Sequence, residues 1–317
     1  MTEERQAIQA PVKKGLFRKK SKDPDAQKPY VKPKKIFAYR VNRSFGGDLV
    51  LILFLLAVGI FMLFPLVYMV SNSLKPLYEL FLFPPTLFVR NPTFTNYTDL
   101  FNYSGNMSVP MTKYFFNSVY ISLVATALAV ILCSMAAYAV SKREFRAKGP
   151  IFEFIRLSLM FTAPATSIVN YVIIAKLDPV DKYWPVILPT VALPLYMYMI
   201  KNFMDTFPTS VLEAARIDGA NEFRIFLQIL MPACKSSWMT VILFVVQATW
   251  GLDTGAFVFK EEMKSIKSGF SAITSVSQQR YGVACAQQVI LLIIPLVTFI
   301  ITQSNVMASL ATSGMKD

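Results

Sequence analysis

The sequence predicts an all-α membrane protein with six transmembrane helices, and three observations support this fold class. Hydrophobic residues make up 54% of the 317 residues and charged residues only 16%, whereas about a quarter of the residues in a soluble domain are charged. The apolar residues form long runs, of which residues 49–70 are the clearest: 22 helical residues are enough to cross the hydrocarbon core of a bilayer. Lysine and arginine are unevenly divided between the connections on the two sides, as expected for a chain that crosses a membrane several times.

The apolar runs give six predicted spans. They are residues 49–70, 114–140, 151–175, 183–200, 237–257 and 289–302. Pro164 interrupts the third span, and the fourth contains three prolines. Membrane helices tolerate proline where neighbouring helices or water satisfy the carbonyl groups that it frees. The connection at 71–113 is expected to be ordered and external.

The first 47 residues differ in composition from the rest. They contain thirteen lysines and arginines against four acidic residues, and such a segment is expected to be a disordered tail. Most of the net charge of +13 belongs to it, so that charge does not indicate a nucleic-acid-binding face. Two roles remain open for the tail: attraction to anionic lipid headgroups, or solvation with an effect on orientation only. Residues 48–317 are predicted to form the transmembrane domain.

The distribution of positive charge predicts the orientation. With the tail in the cytoplasm, 23 of the 32 lysines and arginines lie on the cytoplasmic side. The short basic connection at 141–150 and the polar stretch after the fourth span are then on that side as well. The positive-inside bias therefore predicts a multi-pass membrane protein with both termini in the cytoplasm.

The residue inventory excludes several kinds of active site. The chain has no histidine, so a histidine base or a histidine metal ligand is excluded. It has no GxxxxGK[ST] phosphate loop, so nucleotide chemistry has to come from another chain. The cysteines, Cys133, Cys234 and Cys285, are expected to be free thiols. We predict no catalytic residues and no metal site.

A polar-rich stretch, SVLEAARIDGANEFRIFLQILMPACK at 210–235, separates the fourth and fifth predicted spans. The sequence predicts two short helices joined by a glycine turn. Ser210 and Glu213 have the spacing of a capping box, in which both side chains satisfy free backbone donors at a helix start. Gly219 is expected to form the turn, because glycine takes a positive φ without steric cost. The second helix is predicted to stop at Pro232.

This stretch resembles the EAA signature of the membrane subunits of bacterial ABC importers. The matching residues are Glu213-Ala214-Ala215, Asp218-Gly219-Ala220, Phe226, Ile229 and Pro232. The sequence ARIDGA is similar to the carbohydrate-uptake branch, which contains the maltose permease pair, and the resemblance extends over about residues 47–317. Met231 and Ser236 stand where the family usually has leucine and often a second proline, which predicts a less rigid exit from the stretch.

The resemblance implies the ABC type I importer permease fold, with core helices at about 114–303 and a coupling loop at 201–236. In this family the loop sits in a groove of a cytoplasmic ATPase and transmits its closure to the membrane helices. The residues expected to couple to the ATPase are Glu213, Ala214, Ala215, Arg216, Asp218, Gly219, Ala220, Phe223 and Phe226. Charged side chains would pair with the groove, while Val211, Leu212 and Phe223 would fill its apolar floor. The loop has to stay packed against spans four and five.

The function implied is that of a permease subunit for sugars or oligosaccharides. The family's partners are a second homologous permease subunit, an ATPase dimer and an extracellular solute-binding protein, with membrane lipid around the chain. This chain would bind no cofactor, and ATP and Mg would belong to the ATPase. A permease for a non-sugar solute and a membrane-embedded enzyme remain alternatives. The residues do not distinguish a heterodimeric from a homodimeric permease pair, nor one sugar from another.

Polar side chains within the predicted spans are candidates for a substrate path, because an unpaired polar group in lipid is costly. The candidates are Thr162, Thr166, Asn170, Tyr196, Gln247, Trp250 and Asp253, with Tyr198 beside them. They offer the hydrogen bonds and aromatic faces that sugars prefer. The alternative is hydrogen bonding between helices, which uses the same residue types. A carboxylate within a membrane is usually functional, although Asp253 would be ordinary at the external boundary.

Overall fold

The computed structural model describes residues 45–105, 109–161, 163–177, 181–274 and 281–314. Within these ranges the chain is helical and contains no β-strand, which confirms the all-α prediction. Most of the basic tail, residues 1–44, lies outside the described residues.

The chain divides into two units between Val58 and Gly59. The described part of the first unit is the beginning of a helix, α1, which already starts at Phe45, inside the segment that we expected to be disordered. The second unit contains the remainder of α1 and every later helix.

The helices follow one another as α1 (Phe45–Leu74), α2 (Leu77–Leu80), α3 (Thr95–Gly105), α4 (Met111–Lys142), α5 (Lys148–Ser158), α6 (Ala163–Ala175), α7 (Trp184–Val191), α8 (Pro194–Asp205), α9 (Thr209–Ile217), α10 (Glu222–Arg224), α11 (Met231–Ala233), α12 (Lys235–Trp250), α13 (Ile266–Thr274) and α14 (Tyr281–Gly314). A π-helical turn at Ile225–Leu230 joins α10 to α11, and a short 3-10 turn lies at Glu261–Met263.

The predicted count of six spans is not confirmed. In the part of the chain that the structure describes, four helical stretches are long and apolar enough to cross a membrane: Gly46–Leu74, Met111–Lys142, Trp184–Asp205 and Tyr281–Val306. A fifth candidate is the pair Glu222–Ala233 and Lys235–Trp250, which is bent by 78°. The predicted third span is divided into α5 and α6, and the 13 residues of α6 rise only about 20 Å, less than the thickness of the hydrocarbon core.

Helix α4 lies at the centre of the second unit and packs against α7, α8, α12 and α13. Its packing face is built from small side chains, with Ala125, Ala129 and Ala137 fully buried. Small residues let helix backbones approach closely in a membrane protein. Polar side chains add links between helices: the hydroxyl groups of Ser122 on α4 and Thr249 on α12 lie 2.8 Å apart.

The connection between α1 and α4 is ordered by buried polar contacts over its described part. The Lys75 ammonium is buried and donates to the Asn72 side-chain oxygen at 2.8 Å and to the Thr86 carbonyl. The Asn96 amide donates to the carbonyls of Ser73 and Lys75, at 2.9 and 2.8 Å. These contacts fix the end of α1 against α3, because buried polar groups are costly to leave without partners.

The contact of Asn96 with α14 gives a stability prediction. A Cβ atom added at Gly282 would lie 2.5 Å from the Asn96 side-chain oxygen, so Gly282→Ala has to displace a buried amide. We expect the free energy of unfolding to fall by about 1–3 kcal/mol, which is typical of overpacking. The measurement is a lower thermal unfolding midpoint of the purified protein. Gly59→Ala is the matched control, since its Cβ meets nothing within 4 Å. Equal midpoints for the two variants would contradict this packing.

Candidate functional site

The stretch resembling the EAA signature folds as residues 209–233, which we call the 209–233 segment. Its first helix, α9, begins at Thr209 after Pro208, whose extended backbone (φ −62°, ψ 130°) sets the helix start without a side-chain cap. The predicted capping box of Ser210 and Glu213 is therefore wrong. A proline needs no partner for a backbone N–H, and its fixed φ directs the chain into the helix.

The turn after α9 is built on Gly219, as predicted. Gly219 has a φ of +84°, which is strained for residues with a side chain. The amide of Ala220 donates to the Ala215 carbonyl at 2.9 Å, and that of Gly219 donates to the Arg216 carbonyl at 3.0 Å. These two bonds satisfy carbonyl groups at the end of α9 in the pattern of a Schellman motif. The turn therefore has a fixed geometry.

The second half of the segment begins with a cap that the sequence reasoning missed. The Asn221 side chain accepts a hydrogen bond from the Arg224 amide at 2.8 Å, which is the usual role of asparagine before a helix. The helix then passes through the π-helical turn and ends at Ala233, one residue beyond the predicted stop at Pro232. At Cys234 the chain bends by 78° into α12.

One side of the 209–233 segment is buried in the core of the second unit. Leu212 is 2% exposed, Ile225 and Leu230 are fully buried, and Phe226 is 7% exposed. The Phe226 ring packs on Tyr138 of α4 with centroids 5.6 Å apart. The expectation that Leu212 fills a partner's groove is therefore wrong, because this side chain is already enclosed by its own chain.

The opposite side of the segment presents apolar and charged side chains together. Ile217 is 87% exposed, Phe223 69% and Val211 44%. Nine residues were predicted to couple to an ATPase. Phe226 is buried, Ala215 and Ala220 are half-buried, and the other six are exposed: Glu213, Ala214, Arg216, Asp218, Gly219 and Phe223. Ile217 was not among the predicted coupling residues, although it lies inside the ARIDGA sequence that carries the resemblance.

A separate cavity of about 510 Å³ lies between α6, α7 and the connection after α12. Its lining is mainly apolar, with Ser167, Asn170, Thr190 and Asp253 as its polar members. The Tyr171 and Phe257 rings, 5.3 Å apart, form part of the wall. This combination of apolar walls and a few polar groups is typical of small-molecule sites.

The structure separates the predicted path residues into groups. Asn170 and Asp253 line the cavity, whereas Thr166 and Gln247 are exposed outside it. Thr162 lies outside the described residues. Tyr196 and Trp250 are each 2% exposed and lie in the packing between helices. The Trp250 indole N–H donates to the Leu291 carbonyl of α14 at 3.0 Å, which is the helix-to-helix alternative considered above. Tyr198 is half-buried and stacks on Phe152.

Asp253 lies three residues beyond the end of α12, not within it. Its carboxylate accepts hydrogen bonds from the Ser268 hydroxyl at 2.6 Å and from the Gly255 amide at 2.9 Å. These bonds hold the pKa of Asp253 below its ordinary value, because they favour the charged form. The cavity therefore has a fixed negative charge at its edge. Among the described residues, no group of three or more histidine, cysteine or acidic side chains could hold a metal ion.

Comparison with known proteins identifies the type of molecule. No protein-family model matches the chain. It is 26% identical over 270 residues to AraQ of Bacillus subtilis, an arabinooligosaccharides transport system permease protein, covering 84% of this chain and 95% of the relative. It is 27% identical over 258 residues to the inner membrane ABC transporter permease protein YcjP of Escherichia coli, covering 80% of this chain and 91% of the relative. The chain is an ABC importer permease.

Two further comparisons agree with this identification. The galactooligosaccharides transport system permease protein GanQ of Bacillus subtilis is 27% identical over 273 residues, covering 83% of this permease and 94% of the relative. A bacterial ABC transporter that imports the polysaccharide alginate has a chain of the same fold, with a TM-score of 0.69, 18% identity and coverage of 83% of this permease and 98% of that chain. The predicted resemblance to carbohydrate-uptake permeases is confirmed, and the permease is a transport subunit rather than an enzyme.

The two phenylalanines of the 209–233 segment give a prediction. Phe226→Ala empties a buried position against Tyr138 and should lower stability by about 3 kcal/mol, seen as a clear drop in the thermal unfolding midpoint. Phe223→Ala, the control, removes a ring that is 69% exposed and should leave the midpoint nearly unchanged. A large drop for Phe223→Ala with none for Phe226→Ala would mean that the segment packs with its opposite side inward.

Proposed function

We propose that this permease imports sugars or oligosaccharides and receives the energy of ATP hydrolysis through the 209–233 segment. The observation that carries the proposal is the division of the segment into two sides. Its buried side is fixed to the membrane domain, and its exposed side presents Ile217 and Phe223 beside Glu213 and Asp218. A partner that grips the exposed side would move a rigid body.

Exposed apolar side chains with charged neighbours are typical of a protein interface, where a few large anchors are surrounded by polar groups. Transmission of motion requires that the segment does not shift relative to the membrane domain. The buried side meets this requirement, since Leu212, Ile225 and Leu230 would have to leave the core before the segment could shift. ATP acts on such a system only through a different affinity for the inward-open and outward-open states. The chain itself binds no ATP in this scheme; ATP and Mg belong to the ATPase dimer.

The cargo class is inferred from the relatives and the cavity together. The relatives are named for arabinooligosaccharides and galactooligosaccharides. The cavity offers the Tyr171 and Phe257 rings for sugar C–H faces, and Asn170 and Thr190 for hydroxyl groups. A second homologous permease subunit would complete the path, an extracellular binding protein would deliver the sugar, and both termini would lie in the cytoplasm.

The ATPase contact is tested by charge reversal at Glu213. In the assembled transporter, Glu213→Lys should reduce co-purification of the ATPase about tenfold or more, because reversing an interface charge typically costs a few kcal/mol. Glu153→Lys is the matched control: Glu153 pairs only locally, with Arg156, among the described residues, at 2.9 Å. Full ATPase recovery with Glu213→Lys, or equal losses with both variants, would refute docking at this segment.

The cargo is tested by uptake into vesicles that contain the assembled transporter. We expect uptake of at least one of radiolabelled arabinotriose, galactobiose and maltotriose, and none of labelled glutamine or sulfate. Ala256→Phe fills the cavity and should reduce that uptake about tenfold without loss of the bound ATPase. Ala147→Phe, at an exposed position before α5, is the control. Uptake of glutamine or sulfate alone would favour the non-sugar alternative.

A further inference from the structure

The cytoplasmic end of α4, by the predicted orientation, holds the 209–233 segment through a carboxylate that the family signature does not include. The Glu222 side chain accepts a hydrogen bond from the Tyr138 hydroxyl. It also accepts one from Arg216 Nε at 3.0 Å and lies 3.3 Å from Arg143 Nη2. One carboxylate therefore joins the last turns of α4 to both halves of the segment.

The same end of α4 also contacts the chain just before the segment. Lys142 Nζ donates to the Phe207 carbonyl at 2.7 Å, and the Ser141 hydroxyl donates to Asp205 Oδ1 at 2.7 Å. Asp205 is held in turn by Lys201 of α8, at 2.7 Å. Residues 138–143 thus contact the chain before α9, at Asp205 and Phe207, and after it, at Glu222. Both ends of α9 are therefore attached to the end of α4.

Helix α4 continues from this point to the opposite end of the membrane domain. Its 32 residues span about 48 Å. At the far end, the Tyr114 hydroxyl donates to Glu261 Oε2 at 2.9 Å, and the Asn117 amide donates to the Glu262 carbonyl at 2.8 Å. The Ser118 hydroxyl accepts from the Ile266 amide at 2.8 Å. These hydrogen bonds hold the end of α4 against the connection after α12, which contains Asp253 and forms one wall of the cavity.

We propose that Glu222 is a positioning residue that locks the 209–233 segment to α4, so that displacement of the segment moves α4 and, at its other end, the connection at 251–265. The segment was expected to stay packed against spans four and five, and on span five the Trp238 indole N–H donates to the Met231 carbonyl at 2.9 Å; the contacts with α4 are a further attachment that the sequence did not indicate. The transport consequence rests on the proposed function, whereas the lock itself is a property of this chain alone.

The arrangement suits a lock because its parts are strong and directional. A carboxylate that accepts from a phenol and a guanidinium forms charge-assisted hydrogen bonds, which are shorter and stronger than neutral ones. The group is only partly enclosed, with a Glu222 side-chain exposure of 36%, so solvent weakens its electrostatic part. The Phe226 ring on Tyr138 supplies an apolar contact directly beside it.

The first test uses the full chain in lipid nanodiscs without any ATPase. Amide hydrogen exchange should become about threefold to tenfold faster across 209–224 in Glu222→Gln and in Tyr138→Phe, because each removes one partner of the lock. Glu144→Gln is the matched control: its carboxylate lies in the same cytoplasmic region and pairs with Lys148, four residues along. If Glu222 and Tyr138 act as one unit, the double variant should exchange no faster than the faster single variant.

The second test separates positioning from simple stability in the assembled transporter. In Glu222→Gln, the rate of ATP hydrolysis, measured as phosphate release, should persist. The number of labelled sugar molecules taken up per ATP hydrolysed should fall several-fold. Phe226→Ala, if it only destabilises, should lower both quantities together. Substituting Arg143→Lys keeps the charge near Glu222 and should preserve most of the uptake ratio.

Unchanged exchange at 209–224 in both Glu222→Gln and Tyr138→Phe would overturn the lock, whatever the ATPase does. Equal effects from Glu144→Gln, or additive effects in the double variant, would also overturn it. If exchange accelerates but the chain never retains an ATPase, the lock stands and the proposed function fails. If exchange accelerates and the uptake ratio is unchanged, the lock exists but does not transmit motion.

Discussion

The contact between the end of α4 and residues 222–226 is the interaction on which the arrangement of the molecule depends. At this point the Tyr138 ring packs against the Phe226 ring, and the Tyr138 hydroxyl donates to Glu222. Apolar burial and a charge-assisted hydrogen bond therefore act on the same side chain. Because Phe226 is buried in the core and Glu222 is at its edge, the segment has one inward side and one outward side, and its exposed residues are placed by the buried ones.

This division explains how a short segment can serve both as an attachment and as a surface for a partner. Rigid transmission requires that the segment does not deform internally, and the Schellman turn at Gly219 and the Asn221 cap satisfy the backbone groups that would otherwise fray. The outward side chains then need no internal role. Their exposure fits the contact with a separate ATPase chain that we propose.

Much of the site could be predicted from sequence where the signal is local. The turn at Gly219 follows from the backbone conformation that glycine alone adopts freely, and the structure has a φ of +84° there. The capping box failed because Pro208 already sets the helix start. Leu212 was assigned to a partner's groove although it is buried, and Ile217, 87% exposed, was overlooked. Apolar character alone does not tell on which side of a helix a residue lies when apolar residues occupy both sides.

Other features depend on residues far apart in the chain. Glu222 and Tyr138 are separated by 84 positions, so no local pattern connects them. Trp250 and Asp253 are three positions apart, a spacing that would place them on one side of a continuous helix. In the structure Trp250 contacts α14, whereas Asp253 lies beyond the end of α12. The third predicted span is apolar over most of its length and was therefore assigned as one helix, whereas the structure divides it into α5 and α6.

The sequence by itself determined that this is a helical membrane protein and placed the glycine turn and the signature stretch, because composition, run length and φ preference act within a few residues. The tertiary structure decided which side of the 209–233 segment is buried, which polar residues line the cavity and which helix holds the segment. These properties depend on the distance between side chains brought together by packing, and the order of residues along the chain does not contain that distance.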